Sequence, residues 1–402
     1  MSAGAQPRPP AGARERPLRA LVLTVVHHPQ DARIRHRQVR ALLEAGWEVT
    51  YVAPWAGHDV EPERGVPGLR CVDVERAVGR SRWRAQRAAR SLLRHLGPAH
   101  DVVLLHDPEL VPTTTGLRLP PVVWDVHEDT PAAISVRPWV PDRVRPALSW
   151  AVRGVERLAE RRMLLLLADD RYADRFRRSH PVVPNATTVP QDVPPAGREV
   201  EGVRRVVYLG SVTLERGARE LVDVVGGLRE KTGGSVRLEV LGPAHGPARE
   251  LMADADRRDV LDWRGFVANP AALARIDGAL AGLSLLHDEA NFRPSMPTKV
   301  VEYLAHGVPV VTTPLPVAAD LVRRSGGGVV VPFGDTEAVL RVLLGWADRP
   351  ARAVELGAAG HRYAADHLDW RRQAALFVDL LQHVARTGSL PVVGPGAPTE
   401  GA

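Results

Sequence analysis

The hydrophobic positions of the chain repeat one pattern in each half. Short runs of aliphatic and β-branched residues alternate with longer amphipathic stretches, which is typical of βαβ units around a parallel sheet. In the first half the pattern predicts a helix over residues 32–45, ended by Gly46, and five strands, at residues 20–26, 48–53, 69–74, 101–106 and 122–126. In the second half it predicts six strands, at residues 205–209, 236–241, 261–266, 282–286, 308–312 and 328–331. The predicted fold class is therefore α/β, with two doubly wound, Rossmann-like domains.

Composition marks the limits of the two domains. Residues 192–203 are rich in turn residues and lack an apolar period, which predicts a linker between domains at 18–191 and 204–387. Residues 1–17 and 388–402 are rich in small residues and proline, so both are predicted to be disordered tails. Because doubly wound sheets bind ligands beyond the carboxyl ends of their strands, we expect the site in a cleft between the facing domains.

Charge and cysteine content narrow the class of protein. The net charge of +6 is spread along the chain without a long basic block, and we predict no nucleic-acid partner. Cys71 is the only cysteine, which excludes an internal disulfide and a cysteine-based metal cluster and favours a reducing, cytoplasmic location. No apolar run approaches the roughly 20 residues of a membrane-spanning helix.

Two basic amphipathic segments are candidates for peripheral contact with an anionic membrane, at its inner face. They are residues 81–95 and residues 136–162, and the second contains Trp139 and Trp150. The simpler interpretation is that these charged helix faces are merely solvated.

A glycine-marked loop follows the first strand of the second half. Gly210 would let the backbone turn sharply, and Gly217 would let the next helix begin close to a ligand, with its free amide groups facing an anion. Arg216 would add a positive charge at the same place. The alternative is a tight turn with a solvated arginine, because glycine loops are common.

A second motif places two charged residues at the start of a helix. Lys299 and Glu302 follow Pro297, which suits the first turn of a helix, and their spacing of three puts them on one helix face. Glu302 can accept two hydrogen bonds from a ribose diol, and Lys299 can neutralise a phosphate. The alternative is an ordinary intrahelical ion pair, which contributes little to stability.

Histidines lie at the ends of two predicted strands in the first half. His27 and His28 follow the first strand, where a histidine could act as a general base and would imply an inverting reaction. His127 follows the fifth strand, and we predict that it faces the cleft. The alternatives are packing or solvation for the first pair and a helix amino-terminal cap for the segment from His127 to Asp129.

Taken together, these motifs resemble those of family 4 glycosyltransferases, which have the GT-B fold. The likeness rests on Glu215-Arg-Gly217, on residues 297–311 and on His127-Glu-Asp-Thr-Pro131, and it extends from about residue 20 to 385, including 28–34, 106–110 and 183–185. The resemblance implies sugar transfer from a nucleotide-sugar donor, with retention and without a metal ion or other cofactor. Preorganised positive groups suit this reaction because the leaving diphosphate gains negative charge.

The resemblance also implies a role for each site residue. Arg216 and Lys299 would hold the donor pyrophosphate, Glu302 would bind the ribose, and His127 would be the catalytic residue that approaches the sugar from the opposite domain. The predicted set is completed by the donor-binding residues Gly210, Gly217 and Ser295 and by the cleft residues His28, Asp31, Arg33, His106, Glu128 and Asp129.

Two departures from the family pattern keep other functions open. Many members carry a glutamate eight residues before the position of Glu302, where this chain has Pro294, and a basic residue where it has Ser211. A subgroup with the His-Glu-Asp motif looks similar at the first position, so we do not infer inactivity. The alternatives are a sugar-nucleotide epimerase of similar fold and a degenerate, non-catalytic transferase subunit. The sequence identifies neither the sugar nor the acceptor.

Overall fold

The computed structural model describes residues 16–127 and 145–391. The remaining residues lie outside this description, and with them most of both predicted tails, Glu128, Asp129 and the first part of the basic segment 136–162, including Trp139. The described chain forms two parallel six-stranded sheets, one in each half, with helices on both faces. The predicted α/β fold with two Rossmann-like domains is confirmed.

The N-terminal sheet has the strand order β3-β2-β1-β4-β5-β6. The first helical segment of the N-terminal domain is the π-helical segment Ala32–Val39, which continues into helix α1. The strands are β1 Arg19–Leu23, β2 Glu48–Ala53, β3 Leu69–Asp73, β4 Val102–Leu105, β5 Val122–Val126 and β6 Leu164–Leu167, and the helices are α1 Arg40–Glu44, α2 Arg82–Leu96 and α3 Arg145–Arg162. The pattern predicted the first five strands. It missed β6, because a run of four leucines is equally compatible with a buried helix segment.

The C-terminal sheet repeats this order as β12-β11-β10-β7-β8-β9. Its strands are β7 Arg204–Leu209, β8 Val236–Leu241, β9 Asp262–Trp263, β10 Ala281–Ser284, β11 Val310–Thr312 and β12 Gly328–Val330. Its helices are α4 Ala218–Thr232, α5 Pro247–Arg257, α6 Asn269–Ile276, α7 Thr298–Ala305, α8 Pro316–Ser325, α9 Thr336–Asp348 and α10 Pro350–His367, followed by α11 Trp370–Thr387. All six predicted strands are present, although β9 is only two residues long.

Each sheet is buried on both faces, as parallel sheets require. Along β1, alternate residues pack into two different cores, with Ala20 and Val22 on one face and Leu21 and Leu23 on the other. This is why the central strands are continuous apolar runs. The C-terminal sheet likewise separates two cores.

The last helix, α11, crosses back to the N-terminal domain. Trp370, Phe377, Leu381 and Val384 are buried in the same core as Ala20 and Val22. The predicted C-terminal domain, residues 204–387, included α11. Helical periodicity shows only that α11 has an apolar face and does not show which sheet that face covers. The structure shows that this face covers the other sheet.

The sheet orders fix where a ligand can bind. In each sheet the order in which successive strands are added reverses between two adjacent central strands, β1 and β4 in one domain and β7 and β10 in the other. The loops after adjacent strands diverge at this point and leave a crevice, which is where doubly wound proteins bind ligands. The predicted functional loops follow these four strands and β5.

Candidate functional site

The loop after β7 has a backbone that requires glycine. Gly210 and Gly217 have φ angles of 99° and 89°, in the left-handed region. A Cβ atom on Gly217 would lie 2.5 Å from the carbonyl oxygen of Leu285, directly after β10. The absence of a side chain therefore lets α4 begin against the end of β10, with its amide groups at the crevice.

Arg216 ends the turn that precedes this glycine. Its guanidinium carbon lies 5.5 Å from the ring centroid of Phe292, which belongs to the loop between β10 and α7. A guanidinium stacked on an aromatic ring is held in place and keeps its donors available. Ser295 lies in the same loop and donates its hydroxyl to the carbonyl of Asn291.

Lys299 is a buried cation in the first turn of α7. Its side chain is 5% exposed, and its ammonium nitrogen has no hydrogen-bond partner among the described residues. The nitrogen lies 3.5 Å from the ring centroid of Tyr208, at the end of β7. Burial lowers the pKa of Lys299 well below its usual value, and the nearby charge of Arg216 lowers it further. An anion here would satisfy both cations.

Glu302 lies one turn further along α7 and is 3% exposed. Its Oε1 accepts hydrogen bonds from Arg37, at 3.0 Å, and from Asn269, at 3.1 Å. Burial raises the pKa of Glu302, and the charge of Arg37 opposes that rise. Arg37 belongs to the N-terminal domain, so this ion pair joins the two domains across the crevice. The sequence analysis did not identify Arg37 or Asn269. The spacing of four between Arg33 and Arg37 on one helix face was a usable signal.

A network of histidines and carboxylates lies on the N-terminal side. The Nε2 atoms of His27 and His127 are 3.1 Å apart, and Nε2 of His27 lies 3.3 Å from Oδ1 of Asp107. Nδ1 of His127 lies 3.1 Å from the carbonyl oxygen of Asp125 and 3.4 Å from its Oδ2. If that nitrogen donates to Asp125, Nε2 of His127 accepts from His27, and Oδ1 of Asp107 is left without a hydrogen-bond partner among the described residues.

Asp107 ties the ends of β1 and β4 together. Its Oδ2 accepts from the hydroxyl of Thr24, at 3.0 Å, and from the amide of Val25, at 2.6 Å. The loop that carries His27 is therefore fixed to the neighbouring strand. This carboxylate was not identified from the sequence, although it follows His106 directly.

Two predicted cleft residues, Arg33 and Asp31, have hydrogen-bond partners within the N-terminal domain, and a third, His106, is buried. Arg33 is buried and makes two hydrogen bonds of 2.7 Å to the carboxylate of Asp125. Asp31 accepts from the amides of Arg33 and Ile34 and caps the helix. His106 is 2% exposed, and burial lowers its pKa. Arg33 and His106 are therefore buried and are not open to a ligand in the crevice.

His28 lies at the contact between the domains. Its ring centroid is 4.2 Å from that of Phe266, in the loop between β9 and α6, and 4.7 Å from that of His58. Burial lowers the pKa of His28. A neutral, stacked imidazole fits a domain contact.

One group of described side chains has the composition of a metal site. His106, Asp125 and His127 place ligand-type atoms within 4.8 Å of one another. Both oxygens of Asp125 are, however, bound by the guanidinium of Arg33, and Oδ2 also accepts from Gln38. Although burial by itself raises the pKa of Asp125, the charge of Arg33 holds that pKa well below its usual value. The positive charge that a metal would supply is already provided by arginine.

Comparisons with known proteins agree with this architecture. Residues 203–348 match the family described as "Glycosyl transferases group 1". A comparison with curated protein sequences finds no match.

Solved structures share the fold over nearly the whole chain. Sucrose-phosphate synthase from Thermosynechococcus elongatus is 15% identical with a TM-score of 0.68, over 92% of this chain and 99% of that one. WaaG, a glycosyltransferase involved in lipopolysaccharide biosynthesis, is 13% identical with a TM-score of 0.64, over 90% and 99%. HepE from Anabaena, in complex with UDP and glucose, is 12% identical with a TM-score of 0.63, over 91% and 99%. These proteins share the GT-B fold, and this chain has the same fold, with residues 203–348 matching a group 1 glycosyltransferase domain.

Proposed function

We propose that this protein transfers a glycosyl group from a nucleoside-diphosphate sugar to an acceptor, with retention and without a metal ion. The observation that carries the proposal is Lys299, a buried ammonium group with no hydrogen-bond partner among the described residues. Leaving a buried cation without an anion costs free energy. A diphosphate at the ends of β7 and β10 would supply that anion.

The same position suits the chemistry of the leaving group. When the bond between sugar and phosphate breaks, the nucleoside diphosphate gains negative charge. Lys299, Arg216 and the amino terminus of α4 would stabilise that charge without reorganising. HepE was solved with UDP and with UDP-glucose, and we infer a donor of the same chemical class for this protein.

Glu302 is the group suited to the ribose. It lies on the same helix face as Lys299, and a carboxylate can accept hydrogen bonds from two neighbouring hydroxyls. A donor bound through both residues would place the sugar that it transfers toward the N-terminal domain, where His127 lies.

His127 is the candidate for contact with the transferred sugar. In the tautomer whose Nδ1 donates to Asp125, its Nε2 accepts from His27 and does not serve as a base. This supports retention, since an inverting reaction requires a base for the acceptor hydroxyl. Analysis of the product anomer by proton NMR tests the point, and an inverted product would assign the base role to the pair of His27 and Asp107.

Titration calorimetry with UDP, GDP, ADP and TDP tests the donor site. We expect Arg216→Ala to weaken binding of the preferred diphosphate at least about tenfold, the value of one charge-assisted hydrogen bond. Arg341→Ala is the matched control, because Arg341 is exposed on α9 and is not part of the proposed donor site. His127→Ala should leave diphosphate affinity unchanged and slow sugar transfer. Equal affinities for the wild type and the Arg216→Ala variant would remove the assignment.

The acceptor side presents a basic face that suits an anionic lipid surface. Helices α2 and α3 cover the same core and both contact Pro108–Thr114. Trp83 and Trp150 are 56% and 73% exposed on these helices. The arginines exposed beside them are Arg84, Arg87 and Arg94 on α2 and Arg153, Arg157, Arg161 and Arg162 on α3.

Acidic side chains balance little of this face in the described part of the chain, where Nε of Arg84 lies 2.9 Å from Oε1 of Glu75. Helix α2 contains no acidic residue, and Glu156 and Glu160 of α3 are buried against residues 175–180. We propose that the face binds peripherally to anionic lipid, with the tryptophans as anchors. Among the described helices, none has the length and apolar character to cross a bilayer.

A further inference from the structure

The buried ion pair between Arg37 and Glu302 joins residues from opposite sides of the crevice. Arg37 lies on the π-helical segment Ala32–Val39, and its Nη2 donates to Oε1 of Glu302 at 3.0 Å. The two side chains are 6% and 5% exposed. Removing two charges from water is costly, so a pair of this kind needs a reason beyond stability.

The contacts of Glu302 are unequal at its two oxygens. Oε1 accepts from Arg37 and from Asn269, the first residue of α6. Oε2 accepts from no donor among the described residues. The carboxylate is therefore fixed at one oxygen, and its remaining acceptor capacity is left for a ligand.

We propose that Arg37 is a positioning residue of the donor site, which orients the ribose-binding carboxylate of Glu302 from the opposite domain. The proposal rests on the function proposed above, in which Glu302 binds the ribose. Since the carboxylate reaches this orientation only when the domains meet, binding of the nucleoside is coupled to closure of the crevice. Arg37 thereby contributes to donor affinity without touching the donor.

Charge gives Arg37 a second effect on the same carboxylate. The charged groups that face Glu302 are Arg37, Lys299 and His306. Burial raises the pKa of Glu302, and Arg37 is the strongest of the groups that lower it. Without Arg37 the carboxyl group would take up a proton at a higher pH and would accept hydrogen bonds less well.

The simplest rival is that Arg37 only clamps the two domains together. A clamp would affect every ligand of the crevice equally, whereas positioning of Glu302 affects only ligands with ribose hydroxyls. The test therefore compares the nucleoside diphosphate that binds best among UDP, GDP and ADP with its 2′,3′-dideoxy counterpart. Binding of both to the full chain is measured by calorimetry.

For wild type we expect the ribose form to bind about tenfold more tightly than the dideoxy form. Arg37→Gln and Glu302→Gln should each abolish this preference and leave the dideoxy affinity within about twofold of wild type. Arg37→Lys, which keeps the charge, should retain part of the preference. Because a positive charge at position 37 lowers the pKa of Glu302, the preference of wild type and of Arg37→Lys should persist to lower pH than any preference that remains in Arg37→Gln.

Arg35→Gln is the matched control. Arg35 lies on the same segment and forms an ion pair with Glu63 inside its own domain, so it should leave both affinities unchanged. Circular dichroism confirms that each variant is folded, and Arg37→Lys preserves the test if Arg37→Gln unfolds.

The outcomes separate the inference from the function on which it rests. Equal weakening of both ligands by Arg37→Gln would show a clamp and overturn the inference, as would tighter binding, which would show that Arg37 competes with the ribose. If Glu302→Gln itself leaves the preference intact, the ribose assignment is wrong, and the proposed donor site with it.

Discussion

Replacing Lys299 with methionine should stabilise the ligand-free protein and abolish donor binding. The ammonium group is 5% exposed and lies without a hydrogen-bond partner among the described residues. Methionine is unbranched and of similar length, so it fills the same space without a charge. The substitution therefore separates the contribution of Lys299 to stability from its contribution to ligand binding.

The magnitude follows from two opposing contributions. Replacing buried charges by apolar groups of similar volume often stabilises a protein by about 1–4 kcal/mol. The variant also loses the interaction of the ammonium with the ring of Tyr208, 3.5 Å away, which contributes up to about 2 kcal/mol. We expect a net gain of about 1 kcal/mol, or a rise in Tm of about 1–2 °C for a chain of 402 residues.

Thermal unfolding with and without a nucleoside diphosphate measures both effects. At a ligand concentration of about 100 times the Kd, wild type should gain about 2.7 kcal/mol, and Lys299→Met should gain almost nothing. Without ligand the order is reversed, and the variant is the more stable protein. Lys231→Met is the matched control, because Lys231 is the only other lysine and is exposed at the end of α4.

The stability difference should depend on pH. The pKa of Lys299 in the native state is lowered well below its usual value, so between that pKa and about 10.4 the unfolded chain binds more protons at this amine. Wild-type stability therefore rises with pH in this window. The advantage of Lys299→Met should shrink as the pH approaches 10. A variant that is less stable than wild type at neutral pH, or that keeps its ligand-induced gain, would refute the reasoning.

Three further results are expected. Gly217→Ala should lower the free energy of unfolding in urea by more than about 1 kcal/mol, because its φ of 89° is strained for alanine and a Cβ would clash. The control is Gly226→Ala, inside α4 with open space around it, which should raise the free energy of unfolding by about 0.5–1 kcal/mol. Asp125→Asn should cost about 3–5 kcal/mol in the same assay, since it leaves the buried guanidinium of Arg33 without its anion; a loss below 1 kcal/mol would contradict this. Trp150→Ser should reduce sedimentation with vesicles containing phosphatidylglycerol, and equal sedimentation with vesicles of phosphatidylcholine alone would show that anionic lipid is not the ligand.

Local sequence patterns were sufficient to predict most of the strands of this protein. Apolar runs predicted eleven of the twelve described strands, because burial on both faces of a parallel sheet leaves its signature in consecutive residues. The glycines at 210 and 217 and the spacing between Lys299 and Glu302 follow equally local rules, since a left-handed backbone and a shared helix face involve only neighbouring residues. These rules placed the residues of the proposed donor site in the segments that follow β7 and β10.

Contacts between distant segments were decided only in the tertiary structure. A periodic apolar face shows that α11 must be covered, but not that it packs on the N-terminal sheet. Arg33 was predicted to face the cleft, but its guanidinium binds Asp125 of β5. Arg37 donates a hydrogen bond to Glu302, which lies 265 positions further along the sequence. Charge attraction acts through space and leaves no periodicity along the chain. The sequence therefore determined the two sheets and the residues at their strand ends, whereas the packing of the domains determined which of those residues meet.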